Sequence, residues 1–193
     1  MASRVRATNT EMVSPAVGLE ARLRVLEQKV ASLEPRVPQD RVSLMVFSWE
    51  LDRILAAFAI ATGAAALGYQ TSMFFMFWGL AGLRQKRVVT GKRVREGLVA
   101  LLAPGNSKQL PMSRMNFFGV GARMLRGMMR DKHVASLEDL MRIARRLGTR
   151  MVACETSRDV MGIRDDELVE GLEFGATAGF LADALHSRVT LFI

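Results

Sequence analysis

The apolar positions change rhythm along the chain, and each change marks an element. Leu19, Leu23, Leu26, Val30 and Leu33 recur at spacings of 4, 3, 4 and 3, the a/d rhythm of a coiled-coil seam. Pro35 and Pro38 end this helix. At about two heptads it is marginal alone in water, so it lies either on its own domain or in an oligomerisation arm. After "EPRVPQD" the run "VSLMVF" (42–47) is continuous, as in a strand buried on both faces. "SWELDRILAAFAIATGAAALG" then predicts a helix. Ser48 is its expected N-cap, Glu50 and Asp52 stand in the first turn where the dipole favours anions, and Gly68 is its stop. "QTSMFFMFW" reads as a second buried strand, followed at once by "GLAGLRQK".

Residues 88–131 break the regularity with "RVVTGKRVREG", "APGNSKQLP" and a Met- and Gly-rich stretch. Long connections in compact domains are usually functional or mobile. The methionines at 112, 115, 124, 128 and 129 have no His or Cys beside them, so they suit adaptable packing or an oligomer contact better than metal binding. Alternation then resumes. "SLEDLMRIARRLG" has Ser136 and Asp139 at capping-box spacing, an apolar face and Gly148 as its stop. "RMVAC" is the next buried strand, "DDELVEGLE" a short acidic-started helix, "ATAGFLADALHS" another helix and "VTLFI" a terminal strand; "EFGA" offers a fifth strand. Four to five strands alternating with helices predict an α/β fold, an open and mostly parallel sheet covered on both faces. Residues 1–40 form the expected tail and amphipathic helix, and residues 41–193 the α/β domain.

Membrane insertion is the first alternative raised by such apolar runs. The blocks 54–67 and 73–83 hold 14 and 11 residues, whereas a bilayer-crossing helix needs about 20. Ala- and Gly-rich composition fits a helix packed closely on a parallel sheet. Residues 1–18 carry Arg4 and Arg6 but no apolar core of the kind a secretory signal requires. The formal charge of +8 admits nucleic acid, anionic lipid or an anionic small substrate. One Tyr, two Trp and no zinc-finger or RNP pattern argue against nucleic acid. The basic cluster Arg84, Lys86, Arg87, Lys92, Arg93 and Arg95 reads as a solvated charged face. A single Cys forms no internal disulfide, which points to a reducing, cytoplasmic setting.

That cysteine, Cys154, ends the "RMVAC" strand, at the sheet edge where ligand crevices of open α/β sheets lie. Thr156 and Asp159 repeat the cap spacing, so a helix is expected within two or three residues; its amides and Arg158 would favour a thiolate, while Glu155 would oppose it. A small buried hydrophobe at a strand end is the competing reading. His133 and His186 lie outside any nucleophile motif, so sulfur or acyl carriage suits the thiol better than hydrolysis. A flavin or nucleotide site is disfavoured, because "FSWELD" lacks the glycines that let phosphate approach the backbone.

The blocks "VFSWELDRILAAFAIATGAAALGYQTSMFFMFWGL", "MSRMNFFGVGARM", "VASLEDLMRIARRLGTRMVACETSRDVMGI" and "DELVEGLEFG…LFI" together resemble the DsrE/DsrF/DsrH-like family, in its DsrE-type, "peroxiredoxin-like" branch. The resemblance spans 42–193. It implies a three-layer α/β/α sandwich, homo-oligomeric assembly and a cytoplasmic role in sulfur relay without cofactor or metal. A cysteine there carries persulfide or thiosulfonate sulfur between rhodanese-like and TusA-like partners. Cys154 matches the cysteine of the branch's "ACTMSMDVMGI" block, from which this chain departs at Glu155 and Arg158; Trp49 replaces the Gly of its "SGDLDK" block. The expected function is therefore a sulfurtransferase-like carrier, with Cys154 accepting sulfur, Ser48 and Asp52 lining the mouth, and Ser157 and Arg158 binding the anionic cargo. The alternative is a non-catalytic homo-oligomeric interaction subunit, possible at a membrane if 54–83 contacts one.

Overall fold

The computed structural model describes residues 15–33, 38–88, 103–114 and 119–193. The chain divides into two compact units, residues 1–37 and 38–193. Within the first, helix α1 spans Pro15–Leu33.

The second unit is built on a five-stranded parallel sheet in the order β4-β3-β2-β1-β5. Its strands are β1 (Gln39–Val46), β2 (Gln70–Phe75), β3 (Arg150–Cys154), β4 (Glu173–Gly175) and β5 (Ser187–Phe192). The helices are α2 (Leu51–Ala66), α3 (Val120–Asp131), α4 (Leu137–Arg146), α5 (Glu155–Val160) and α6 (Thr177–Leu185). The predicted α/β/α layering is what the chain adopts. Because side chains alternate along a strand, Val42, Leu44 and Val46, Met73 and Phe75, and Met151 and Ala153 point into one core with Leu51, Ile54 and Phe58 of α2 and Met141 of α4. Phe74, Val152 and Cys154 face the other way, onto Phe180 of α6. The serines inside these apolar runs are satisfied: the Ser43 hydroxyl pairs with Ser72 at 3.0 Å and with Ser187 at 2.8 Å, across β1, β2 and β5.

Several local expectations hold. Ser136 and Asp139 form a reciprocal capping box on α4. Gly68 and Gly148, the predicted helix stops, have φ of +88° and +78°, which a residue with a β-carbon adopts only at a cost. "EFGA" does supply the fifth strand.

Others are corrected. Ser48 is not the cap of α2: Glu50 holds that position without a side-chain bond, and the Leu51 amide is bound by Pro111 O at 2.7 Å. The strand from "QTSMFFMFW" stops at Phe75, and Phe77–Leu83 forms a 3₁₀ helix, since Phe77 turns to φ +42°. "DDELVEGLE" yields only a 3₁₀ turn at Asp165–Glu167, followed by Gly171 at φ +75°. Arg84 is no part of a solvated face: it is 2% exposed and paired with Glu167, itself fully buried. Lys86 bonds Asp166 at 3.1 Å and Arg87 bonds Ala103 O. Lys92, Arg93, Arg95 and Met115 lie outside the described residues. Met112 packs against the main core while Met124 and Met128 are exposed. Among the described residues no helix is long and apolar enough to cross a membrane; the block 54–67 is mainly α2, which buries Ile54, Ala57, Phe58 and Ala61 in the core while Ile60 stays exposed.

Candidate functional site

Strand β3 carries Cys154 to the carboxyl edge of the sheet. The Cα register pairs Phe75 with Ala153 and Cys154 with Gly175, so Gly175 flanks the thiol residue on one side and Met76, one step past β2, on the other. The sulfur-bearing side chain packs with Phe74, Val152 and Phe180, with Met45, Met76 and Ala184 around them. Only 1% of Cys154 is exposed. Its backbone, at φ −68° and ψ 117°, is the N-cap of α5. The chain therefore turns from strand to helix with no intervening loop. Thr156 consequently falls inside α5 and does not cap it, as its spacing to Asp159 had implied. Cys154 makes no side-chain cap bond.

Ser157 stands in the first turn of α5, 1% exposed. Its hydroxyl is buried and has no hydrogen-bond partner among the described residues. Arg158 follows, with a side chain 22% exposed. Its guanidinium donates to Asp159 (3.0 and 2.9 Å) and Asp165 (2.8 Å), and it lies 5.0 Å over the Phe174 ring. The Asp159 hydrogen bond, aided by the Asp165 charge, raises the pKa of this guanidinium. Two carboxylates thus already compensate its charge.

Ser48 and Asp52 occupy the end of β1 and the start of α2. Ser48 is buried and its hydroxyl accepts from Arg53 at 3.0 Å. Asp52 binds Ser113, accepting from its amide at 2.9 Å and from its hydroxyl. Burial pushes the Asp52 carboxyl up, but the Ser113 hydrogen bonds outweigh it and hold the pKa below the usual range. Trp49 packs against Trp78, the rings tilted by 50° with centroids 4.9 Å apart. Close by, Phe47 contacts Phe77 at 5.8 Å and Phe192 at 5.9 Å. The structure keeps Cys154, Ser157 and Arg158 on one strand–helix junction; Ser48 and Asp52 belong to another, each with its own polar partner.

Phe74, Val152 and Phe180, the residues packed with the thiol, also line a cavity of about 200 Å³, completed by Phe174, Gly175 and the polar side chains of Arg150, Glu173 and Asp183. Sequence reasoning overlooked Phe74, Phe174 and Phe180. Strand alternation from Cys154 back to Val152 identifies the face, and register then finds Phe74. No local signal places Phe174 and Phe180, which come from β4 and α6. Among the described residues there is no cluster of three His, Cys, Asp or Glu able to hold a metal.

A parallel sheet covered on both faces, with one cysteine at the carboxyl end of an inner strand, defines an open α/β domain of the kind whose ligand crevices lie at that edge. The chain belongs to the DsrE/DsrF/DrsH-like family, whose model matches residues 38–192. It is 32% identical over 154 residues to the uncharacterised protein YrkE of Bacillus subtilis (strain 168), covering 79% of this chain and 96% of that one. It is 28% identical over 166 residues to the sulfur carrier protein DsrE2 of Allochromatium vinosum, covering 80% and 99%. Among solved structures, the ychN protein from E. coli is similar with a TM-score of 0.45 and 14% identity, over 79% of this chain and 98% of that one.

Proposed function

We propose that this protein is a sulfur-relay carrier and that Cys154 is the atom-bearing residue. The carrying observation is its station: the sole cysteine ends an inner strand at the carboxyl edge and starts a helix, in a chain similar to a protein described as a sulfur carrier. In the proposed step the Cys154 thiolate attacks the terminal sulfur of a donor persulfide. A new S–S bond forms on Cys154, the donor's S–S bond breaks and the donor leaves as thiolate. An acceptor thiolate repeats the exchange, so no net oxidant is required. With tetrathionate the same attack leaves a thiosulfonate on Cys154 and expels thiosulfate. Ser157 supplies a free hydroxyl for the carried anionic sulfur, and Arg158 a cation beside it once it loosens from Asp159 and Asp165. Ser48 and Asp52 shape the mouth through Arg53 and Ser113. The donor and acceptor are rhodanese-like and TusA-like proteins, and a reducing cytoplasm is the setting in which a lone thiol persists.

The test is intact mass after the reduced protein meets polysulfide, tetrathionate or persulfidated rhodanese. An adduct on the wild type and none on Cys154→Ser is expected. No adduct on the wild type, or an equal one on Cys154→Ser, overturns the reading. One observation favours the second reading, a non-catalytic interaction subunit: the thiol is only 1% exposed. Alkylation that needs denaturant, together with the missing adduct, selects that alternative.

A further inference from the structure

Helix α1 has no part in the proposed sulfur chemistry, yet its side chains are ordered by more than hydrophobicity. Its 19 residues make a rod of about 28 Å. Leu19 and Leu26 fall at heptad position d, Leu23 and Val30 at a. These four are 64%, 60%, 53% and 55% exposed. With that register the flanking charges sort completely by position. Glu20 and Glu27 occupy e, and Arg22 and Lys29 occupy g.

The sorting selects both a partner and a direction. In a parallel pair a g residue faces the e residue five positions on in the other chain. Arg22 then meets Glu27 of the partner subunit, twice by symmetry. In an antiparallel pair g faces g and e faces e, which sets cation against cation and acid against acid. Val30, β-branched at one of the two a positions, with leucine at each d, further favours two strands over three or four. We infer that α1 forms a two-stranded parallel coiled coil with a second copy of this chain. The inference stands independently of the sulfur reading.

Disulfide trapping in the full chain tests it, in a Cys154→Ser background so that no other thiol interferes. Opposed d positions of a parallel coil lie within disulfide reach. Leu19→Cys is therefore expected to cross-link to itself in a glutathione redox buffer, while Val25→Cys at the outward c position does not. In the charge arm, Glu27→Lys raises the dimer dissociation constant about tenfold, because two ion pairs become two repulsions. Arg22→Glu added to Glu27→Lys restores it. Equal or absent cross-linking at both positions overturns the inference. So does a dominant product between Leu19→Cys and Val30→Cys chains, a d position against an a position as only an antiparallel pair sets them, or failure of the double charge variant to recover. If α1 instead lies on its own domain, Leu26→Arg lowers the melting temperature without changing the mass in solution, which also overturns it.

Discussion

The Ser157 hydroxyl, buried and unpartnered among the described residues, should cost the fold about 1–3 kcal/mol relative to a satisfied group. Its removal therefore separates stability from function. Ser157→Ala is expected to leave the melting temperature unchanged or slightly raised. If the hydroxyl serves the carried sulfur, loading of Cys154 slows about tenfold, the value of one hydrogen bond to a charged group. Stopped-time alkylation of unloaded thiol measures the rate; a destabilised variant with unchanged loading would assign Ser157 to packing alone. At this scale the sequence made Cys154 legible, because an apolar run followed by polar residues marks where a buried strand reaches the edge. It could not show that Arg158 is engaged by Asp159 and Asp165 over Phe174. Two of those partners come from beyond the helix, and charge alone does not reveal whether a guanidinium is already compensated.

Between elements, spacing is decisive where hydrogen bonds are short-range. The capping box of α4 and the glycine stops of α2 and α4 were readable for that reason. The start of α2 was not, since the Leu51 amide is satisfied by Pro111 O, a partner remote in sequence. Similarly, "FWGLAGL" carries no local mark of a 3₁₀ helix; it is shaped by the close approach of Gly79 to β1. A β-carbon on Gly79 would meet Val46 O at 2.2 Å, whereas one on Gly127, inside α3, would meet nothing within 4 Å. Gly79→Ala is thus expected to lower stability by about 3 kcal/mol through forced backbone movement. Gly127→Ala should gain up to about 1 kcal/mol by helix propensity. Urea unfolding of the two variants side by side checks the contrast, and similar midpoints would refute the close-approach argument.

For the molecule as a whole, alternation of strands and helices predicted a parallel sheet, but the order β4-β3-β2-β1-β5 and the charges that bind it lie in contacts between distant segments. Arg150 on β3 bonds Glu173 on β4 and Asp183 on α6, and Asp183 also bonds Arg41 on β1. The hydrogen bond from Arg150 holds Glu173 below its ordinary 4.5. A depressed folded pKa contributes stability that is complete above the unfolded value and is lost as pH falls through the folded one. Melting temperature should therefore drop progressively below about pH 4.5, and Glu173→Gln should flatten part of that fall. The Arg84–Glu167 pair is the buried counterpart. The carboxylate acts amid backbone bonds from Gln85 N to Glu167 O and from Val169 N to Leu83 O, which staple 83–85 to 167–169. That turn also carries Asp165, a ligand of Arg158, so the staple reaches the thiol's helix. Breaking a buried pair from one side strands a charge, at about 3–5 kcal/mol, while replacing both members is often nearly neutral. Glu167→Gln alone should accordingly unfold at markedly lower urea and loosen Arg158, and Arg84→Met with Glu167→Gln should recover most of the midpoint. Should the double variant prove as unstable as the single one, the backbone staple, and not the ion pair, would be what secures this side of the site.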